Sequence, residues 1–149
     1  MIGRVSAPLL IALAAFLPLS PAHPHPFTYQ ATIVSVYDGD TVTVDIDLGF
    51  NIFLKNQTLR LFCVDTPEVR GDEKVQGLAV RDQVRLWLPV GAVVEFRSIK
   101  DRTGKFGRWL AILRPLGWSE SVNRRLLDRN MAEIEAYSAS QRAECAVLP

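Results

Sequence analysis

The chain has 149 residues, of which 48% are hydrophobic and 22% are charged. This length and composition fit a single globular domain and exclude a collagen-like, coiled-coil or disordered protein. Seventeen basic residues against sixteen acidic ones give a net charge of +1. Any affinity for a polyanion must therefore come from the local placement of basic residues, because the bulk charge does not supply it.

The first 22 residues have the pattern of a secretory leader. Arg4 precedes the uncharged apolar run at residues 9–17, and Ser20-Pro21-Ala22 is a small-residue cleavage pattern. The apolar run is shorter than the ~20 residues that a membrane-spanning helix needs. We therefore expect a secreted or periplasmic protein that is cleaved near Ala22, with a domain covering residues 23–149.

The two histidines, His23 and His25, stand in a proline-rich stretch before the first predicted strand. Their position argues against a histidine general base, a Ser-His-Asp triad or an HExxH zinc site within the domain. Together with a free amine at the mature N-terminus, they offer one alternative function, the capture of Cu²⁺ or Zn²⁺.

The rest of the sequence predicts strands and helices in a recognisable order. Residues 28–37 and 41–48 alternate β-branched side chains around an Asp-Gly turn, which is typical of a hairpin. Residues 58–64 predict a third strand, which ends before Pro67, and residues 75–88 predict a helix that ends at Pro89.

Two further strands and a second helix follow. The strands are predicted at residues 93–100 and 108–113. The helix is predicted from Ser119 or Ser121 to Arg129, with Asn130 in a left-handed conformation behind it. Three strands, a helix, two strands and a helix predict an α+β fold built on a five-stranded Greek-key barrel of the OB type.

Carboxylates gather at the predicted strand ends. Asp38 and Asp40 flank Gly39 in the hairpin turn, and Asp65 and Glu68 follow the third strand. Acids that converge at one rim repel each other unless a cation or an arginine lies among them, and hard oxygen ligands suit Ca²⁺ or Mg²⁺. Taken alone, the Asp38–Asp40 turn is more typical of a solvated hairpin.

Two arginines, together with these carboxylates, provide the groups that phosphoryl transfer requires when no histidine is available. Arg60 lies in the third strand, and Arg108 begins the fifth strand behind a glycine-bearing basic loop. A carboxylate-held metal polarises a phosphate, arginine forks neutralise the developing charge, and a free carboxylate handles the water. Each arginine alone is more typical of a surface ion pair, but the combination favours phosphoryl transfer.

Three blocks of the sequence resemble the staphylococcal nuclease, or thermonuclease, family. The blocks are VYDGDTVTV at residues 36–44, LRLFCVDTPE at 59–68 and TGKFGRWLAIL at 103–113. Their order and spacing agree with the family, and so does the Val122-Asn123 pair in the second predicted helix. The resemblance covers residues 28–137, which is nearly all of the predicted domain.

The resemblance implies a catalytic site. Asp40, Asp65 and the backbone carbonyl of Thr66 would hold a Ca²⁺ ion. Glu68 would act as the general base or order the attacking water. The scissile phosphate and its transition state would be bound by Arg60 and Arg108.

The resemblance also implies substrate contacts. Lys105 would contact a terminal nucleotide phosphate. Phe106 stands where the family usually has a tyrosine, so it retains stacking on a base without the phenolic hydrogen bond. The second base-stacking position falls on Ala136 or on Tyr137.

The implied activity is calcium-dependent, sugar-nonspecific hydrolysis of DNA and RNA that leaves 3′-phosphate ends. We expect a monomer with no stable protein partner and no membrane association after leader cleavage. The alternative is a non-catalytic OB-type module that binds nucleic acid or another partner. The enzyme is favoured because all five acids and arginines are present, namely Asp40, Arg60, Asp65, Glu68 and Arg108.

Cys63 and Cys145 are the two cysteines of the chain. An even number of cysteines in an oxidising compartment suggests a disulfide, and two unpaired thiols remain the alternative. Alternation along the third strand predicts that Cys63 and Asp65 share one face. Residues 138–147 predict a final helix that is shorter than the family's usual one.

Overall fold

A computed structural model describes residues 27–103, 108–136 and 138–149, without the side chains of residues 100–103. Several predictions concern residues outside these ranges: the leader at residues 1–22, the metal-capturing pair His23 and His25, and three substrate contacts. Those contacts are Lys105, Phe106 and Tyr137.

The long elements follow the predicted order, and two short strands and a 3-10 turn, which were not predicted, are added to it. The described elements are β1 (Thr28–Val36), β2 (Thr41–Asp47), β3 (Phe53–Leu61), β4 (Val64–Asp65), a 3-10 turn (Gly71–Glu73), α1 (Lys74–Trp87), β5 (Val93–Thr103), β6 (Trp109–Pro115), α2 (Val122–Asp128), β7 (Glu133–Ile134) and α3 (Ala139–Ala146). None of the helices in the described ranges has the length and apolar character needed to cross a membrane.

The five long strands close into a barrel in the order β1-β2-β3-β6-β5. Neighbouring strands are antiparallel except β3 and β6, which run parallel. The short strands β4 and β7 form a separate two-stranded sheet. The predicted fold class, an α+β fold with a five-stranded OB-type barrel, is confirmed.

The core follows from the period-two pattern of the strands and one face of α1. On β2, Val42, Val44 and Ile46 point inward and are buried. Each such side chain contributes about 1.5–3 kcal/mol when it leaves water. On α1, Val80 and Val84 face the same core at helical spacing. The rim of this barrel carries the polar residues discussed below.

The third strand departs from its prediction at both ends. It begins at Phe53 and ends at Leu61, and Cys63 has a φ of +69°. This left-handed residue breaks the alternation before β4 begins. Cys63 is 2% exposed, whereas the side chain of Asp65 is 60% exposed. The prediction that both share one face was therefore wrong.

The C-terminal segment is fastened at two points. A Cys63–Cys145 disulfide, with 5.5 Å between the Cα atoms, joins α3 to the turn after β3, so the bond that the sequence suggested is present. The carbonyl of Pro149 accepts hydrogen bonds from the backbone and hydroxyl of Ser121 at 2.8 and 2.6 Å. Ser121 also caps α2, and Asn130 behind that helix has a φ of +54°, as predicted.

Candidate active site

The turn between β1 and β2 places Asp40 against the segment that follows β4. The backbone N–H of Asp40 donates to the carboxylate of Asp38 at 3.1 Å, which holds the turn. Gly39 lies so close to its neighbours that a Cβ there would be 2.7 Å from side-chain carbons of Thr66 and Val80. Glycine at this position therefore allows the turn to pack against Thr66.

The carboxylate of Asp40 is the centre of a buried hydrogen-bond network. Its Oδ1 accepts from Arg60 Nη1 at 2.7 Å and from Thr41 Oγ1 at 3.0 Å. Its Oδ2 accepts from the backbone N–H and the hydroxyl of Thr66, both at 3.0 Å. Only 3% of the side chain is exposed. Since a carboxylate has about four acceptor positions, all of them are engaged.

The pKa of Asp40 is raised above its ordinary value. Burial is the main cause, and the neighbouring carboxylate of Asp38 adds to it. The attraction of Arg60 and the hydrogen bonds from Thr66 and Thr41 act in the opposite direction without cancelling the rise. Burial thus outweighs the stabilisation that Arg60 and the hydrogen bonds give to the charged carboxylate.

Arg60 joins three carboxylates through the three nitrogens of its guanidinium. Besides Asp40, Nη2 donates to Asp65 Oδ1 at 2.8 Å, and Nη2 and Nε donate to Glu135 Oε2 at 3.2 and 3.4 Å. Burial acts to lower the pKa of Arg60, but Asp40 and Glu135 together raise it above its ordinary value. The arginine is therefore charged and held in a fixed plane.

Glu135 was not predicted from the sequence. It follows β7, and its backbone N–H donates to the carbonyl of Cys63 at 3.1 Å. Pairing of β7 with β4 brings it to Arg60, which lies 75 residues earlier. The local sequence around Glu135 has no motif that would single it out. Only the pairing of two-residue strands far apart in the chain reveals the contact.

The remaining predicted catalytic residues are Arg108 and Glu68. Arg108 directly precedes β6, and its Nη1 donates to Thr41 Oγ1 at 3.3 Å, next to Asp40. Glu68 is exposed two residues after Thr66, and its backbone N–H donates to Glu73 Oε2 at 3.0 Å. Five predicted residues are thus connected through one network, namely Asp40, Arg60, Asp65, Thr66 and, through Thr41, Arg108.

Gly77 of α1 fixes the backbone that carries Glu68. A Cβ at Gly77 would lie 2.2 Å from the carbonyl oxygen of Glu68 and 2.6 Å from that of Pro67. Gly77→Ala is expected to lower the free energy of unfolding by about 2 kcal/mol through this overlap. Alanine's better helix propensity, about 1 kcal/mol, is outweighed. Thermal unfolding tests this, with Gln76→Ala as the exposed control on the same helix. A more stable Gly77→Ala variant would contradict the assignment.

The rim fits a Ca²⁺ ion in donor type and in charge. Carboxylate and carbonyl oxygens are the ligands that Ca²⁺ prefers, and one guanidinium, that of Arg60, faces the three carboxylates of Asp40, Asp65 and Glu135. No cluster of three or more acidic, histidine or cysteine side chains within the described ranges is already arranged around a metal position. To bind the ion, Asp40 and Asp65 would have to give up hydrogen bonds that they now accept. Because the side chain of Asp65 is 60% exposed, its bond to Arg60 is easier to release than the bonds of the buried Asp40.

Comparison with known proteins assigns no family. No protein-family profile matches the sequence, and no curated protein matches it significantly. The thermonuclease resemblance therefore rests on the sequence blocks themselves, and the geometry of the rim has to be interpreted from its own chemistry.

Proposed function

We propose that the protein is a secreted, calcium-dependent nuclease that hydrolyses phosphodiester bonds of DNA and RNA and leaves 3′-phosphate ends. The observation that carries the proposal is the network in which Arg60 contacts Asp40 at 2.7 Å and Asp65 at 2.8 Å. It puts a planar phosphate-binding group beside hard oxygen donors at an open barrel rim. The resemblance to the thermonuclease blocks supports the same reaction.

In this proposal the chain's own residues bind the phosphate and move the proton. Arg60 and Arg108 bind the phosphate oxygens and neutralise the charge that develops on them. Glu68 takes a proton from the attacking water, whose oxygen bonds to phosphorus. The bond from phosphorus to the 5′ oxygen breaks, and that oxygen takes a proton from solvent, so a 5′-hydroxyl and a 3′-phosphate are released. A Ca²⁺ held by Asp40, Asp65 and the Thr66 carbonyl would polarise the phosphate.

Arg60 has to exchange some partners to bind a phosphate. Its bonds to Glu135 are 3.2 and 3.4 Å long, whereas its bond to the buried Asp40 is 2.7 Å long. Longer hydrogen bonds are weaker. The other bond of the edge formed by Nε and Nη2, to Asp65 at 2.8 Å, goes to a side chain that is 60% exposed, so this edge is released at a lower cost than Nη1. We therefore assign this edge to the substrate and Nη1 to permanent contact with Asp40.

Metal dependence is the first test. The mature chain is incubated with single-stranded DNA and with RNA in Ca²⁺, in chelator, and again after Ca²⁺ is restored. Cleavage of both polymers is expected in Ca²⁺, loss in chelator and recovery afterwards, because the rim needs a cation to offset its acids. Sensitivity of the new 3′ ends to phosphatase identifies the products. Undiminished cleavage in chelator would contradict the calcium assignment, and absence of cleavage in Ca²⁺ would contradict the nuclease.

One observation favours the second candidate, a non-catalytic OB-type module. All acceptor positions of Asp40 are engaged and three carboxylates hold Arg60, as in a network that serves only stability. Such a module would bind an oligonucleotide without cutting it. The same incubation distinguishes the two, because a binding module retains the labelled oligonucleotide at full length.

A further inference from the structure

Two cavities of opposite charge flank the segment that carries Asp65 and Glu68. The cavity on one side, of about 690 Å³, has three acidic residues in its wall: Asp65, Glu73 and Glu133. The cavity on the other side, of about 490 Å³, lies between β1, β2 and α1. Its charged lining consists of arginines, namely Arg70, Arg81 and Arg85. We call this second cavity the arginine cleft.

The arginine cleft retains positive charge after its ion pairs are counted. Arg81 donates twice to Asp82 Oδ1, at 2.9 and 2.7 Å, and Arg85 Nη1 lies 3.8 Å from the same oxygen. Arg85 Nη2 also donates to the carbonyl of Val36 at 3.0 Å, which orients its guanidinium toward β1. One carboxylate therefore serves two arginines, and exposed Arg70 adds a third positive charge.

Tyr37 connects the arginine cleft to the candidate active site. It lines the cleft and is 52% exposed. It directly precedes Asp38, and its backbone N–H donates to the carbonyl of Thr41 at 3.0 Å. An aromatic ring that is half exposed beside cationic groups is the combination that single-stranded nucleic acid recognises, by base stacking and phosphate contact.

We infer that the arginine cleft binds the substrate strand next to the scissile phosphate, with a base on Tyr37 and phosphates on Arg70 and Arg81. This rests on the proposed nuclease function and adds the path of the strand. Beyond the proposed Ca²⁺ position at Asp65, the carboxylates of Glu73 and Glu133 in the first cavity repel phosphates, whereas the arginine cleft attracts them. The strand therefore passes from the rim over Tyr37 and along α1.

Binding and cleavage are measured separately to test this. Fluorescence anisotropy gives the Kd of a labelled single-stranded oligonucleotide of about 12 nucleotides, within the range of OB-fold sites, in a Glu68→Gln background. In the active background, kcat/KM is measured for that oligonucleotide and for a mononucleotide p-nitrophenyl diester. The diester is too short to reach both the rim and the cleft. The variants are Tyr37→Ala and Arg70→Gln, with Arg124→Gln as control, because Arg124 pairs with Asp128 on the surface of α2.

Each cleft variant is expected to weaken oligonucleotide binding about tenfold, the size of one stacked base or one phosphate contact. Arg70→Gln should also reduce the slope of log K against log salt by about 0.7. The preference for the oligonucleotide over the diester should fall about tenfold in both variants, and the control should match the parent.

Unchanged binding and preference in both variants would overturn the cleft assignment while leaving the nuclease intact. A parent that binds the oligonucleotide but cleaves neither substrate would refute only the nuclease, and the binding arm would still decide the cleft. A parent that does not bind would overturn the cleft.

Discussion

Arg60→Lys is expected to reduce kcat/KM for polynucleotide cleavage by about 10²–10³-fold, the usual effect of removing one preorganised donor from a developing oxyanion. The guanidinium uses Nη1 for Asp40, Nη2 for Asp65 and both Nε and Nη2 for Glu135. A lysine ammonium keeps the charge but cannot reproduce this planar fork. The loss should appear mainly in kcat, because the fork is needed most in the transition state.

The control for this substitution is Arg114→Lys. Arg114 also donates to a carboxylate, that of Glu95 at 2.6 Å, but its side chain is 42% exposed, whereas that of Arg60 is 14% exposed. Circular dichroism and Tm are recorded with the rates, because removing the fork also weakens the pairing of the buried Asp40. A folded Arg60→Lys variant with the parent's kcat would show that Arg60 has only a structural role.

The barrel and the centre of the site could be predicted from the sequence because both depend on local patterns. Alternation on β2 determines which side chains enter the core. The Asp-Gly-Asp turn joins β1 and β2, and Asp65 ends β4, which follows the barrel strand β3 after two residues, so both acids lie at strand ends. The structure accordingly joins Asp40 and Asp65 through Arg60.

What could not be predicted depends on long-range pairing and on one backbone conformation. Glu135 reaches Arg60 across 75 residues because β7 pairs with β4, and two-residue strands leave no alternation to detect. Cys63 adopts a φ of +69°, which is uncommon for any residue other than glycine, asparagine or aspartate. The prediction from sequence assumed that the third strand continues through Cys63, and it therefore placed Asp65 on the wrong face.

Reduction of the Cys63–Cys145 disulfide is expected to have the largest effect on stability. The bond closes a loop between residues 82 positions apart, and the chain-entropy model gives about 4.5 kcal/mol for a loop of this size. In a domain of this length that corresponds to a Tm lower by roughly 10–20 °C. The bond also lies within a small apolar cluster with Phe62, Ile112 and Leu148, which would lose its anchor.

The disulfide is also connected to the candidate active site. The carbonyl of Cys63 accepts a hydrogen bond from the backbone N–H of Glu135, and the side chain of Glu135 contacts Arg60. Thermal unfolding with and without reductant measures the effect on stability, and mass spectrometry of alkylated, non-reduced protein from an oxidising compartment measures the bond itself. A Cys63→Ala/Cys145→Ala variant is the control, since reductant should not shift its Tm further. Two alkylatable thiols in the purified protein would refute the disulfide. An unchanged Tm on reduction would mean that the hydrogen bonds between Pro149 and Ser121 hold the C-terminal segment without it.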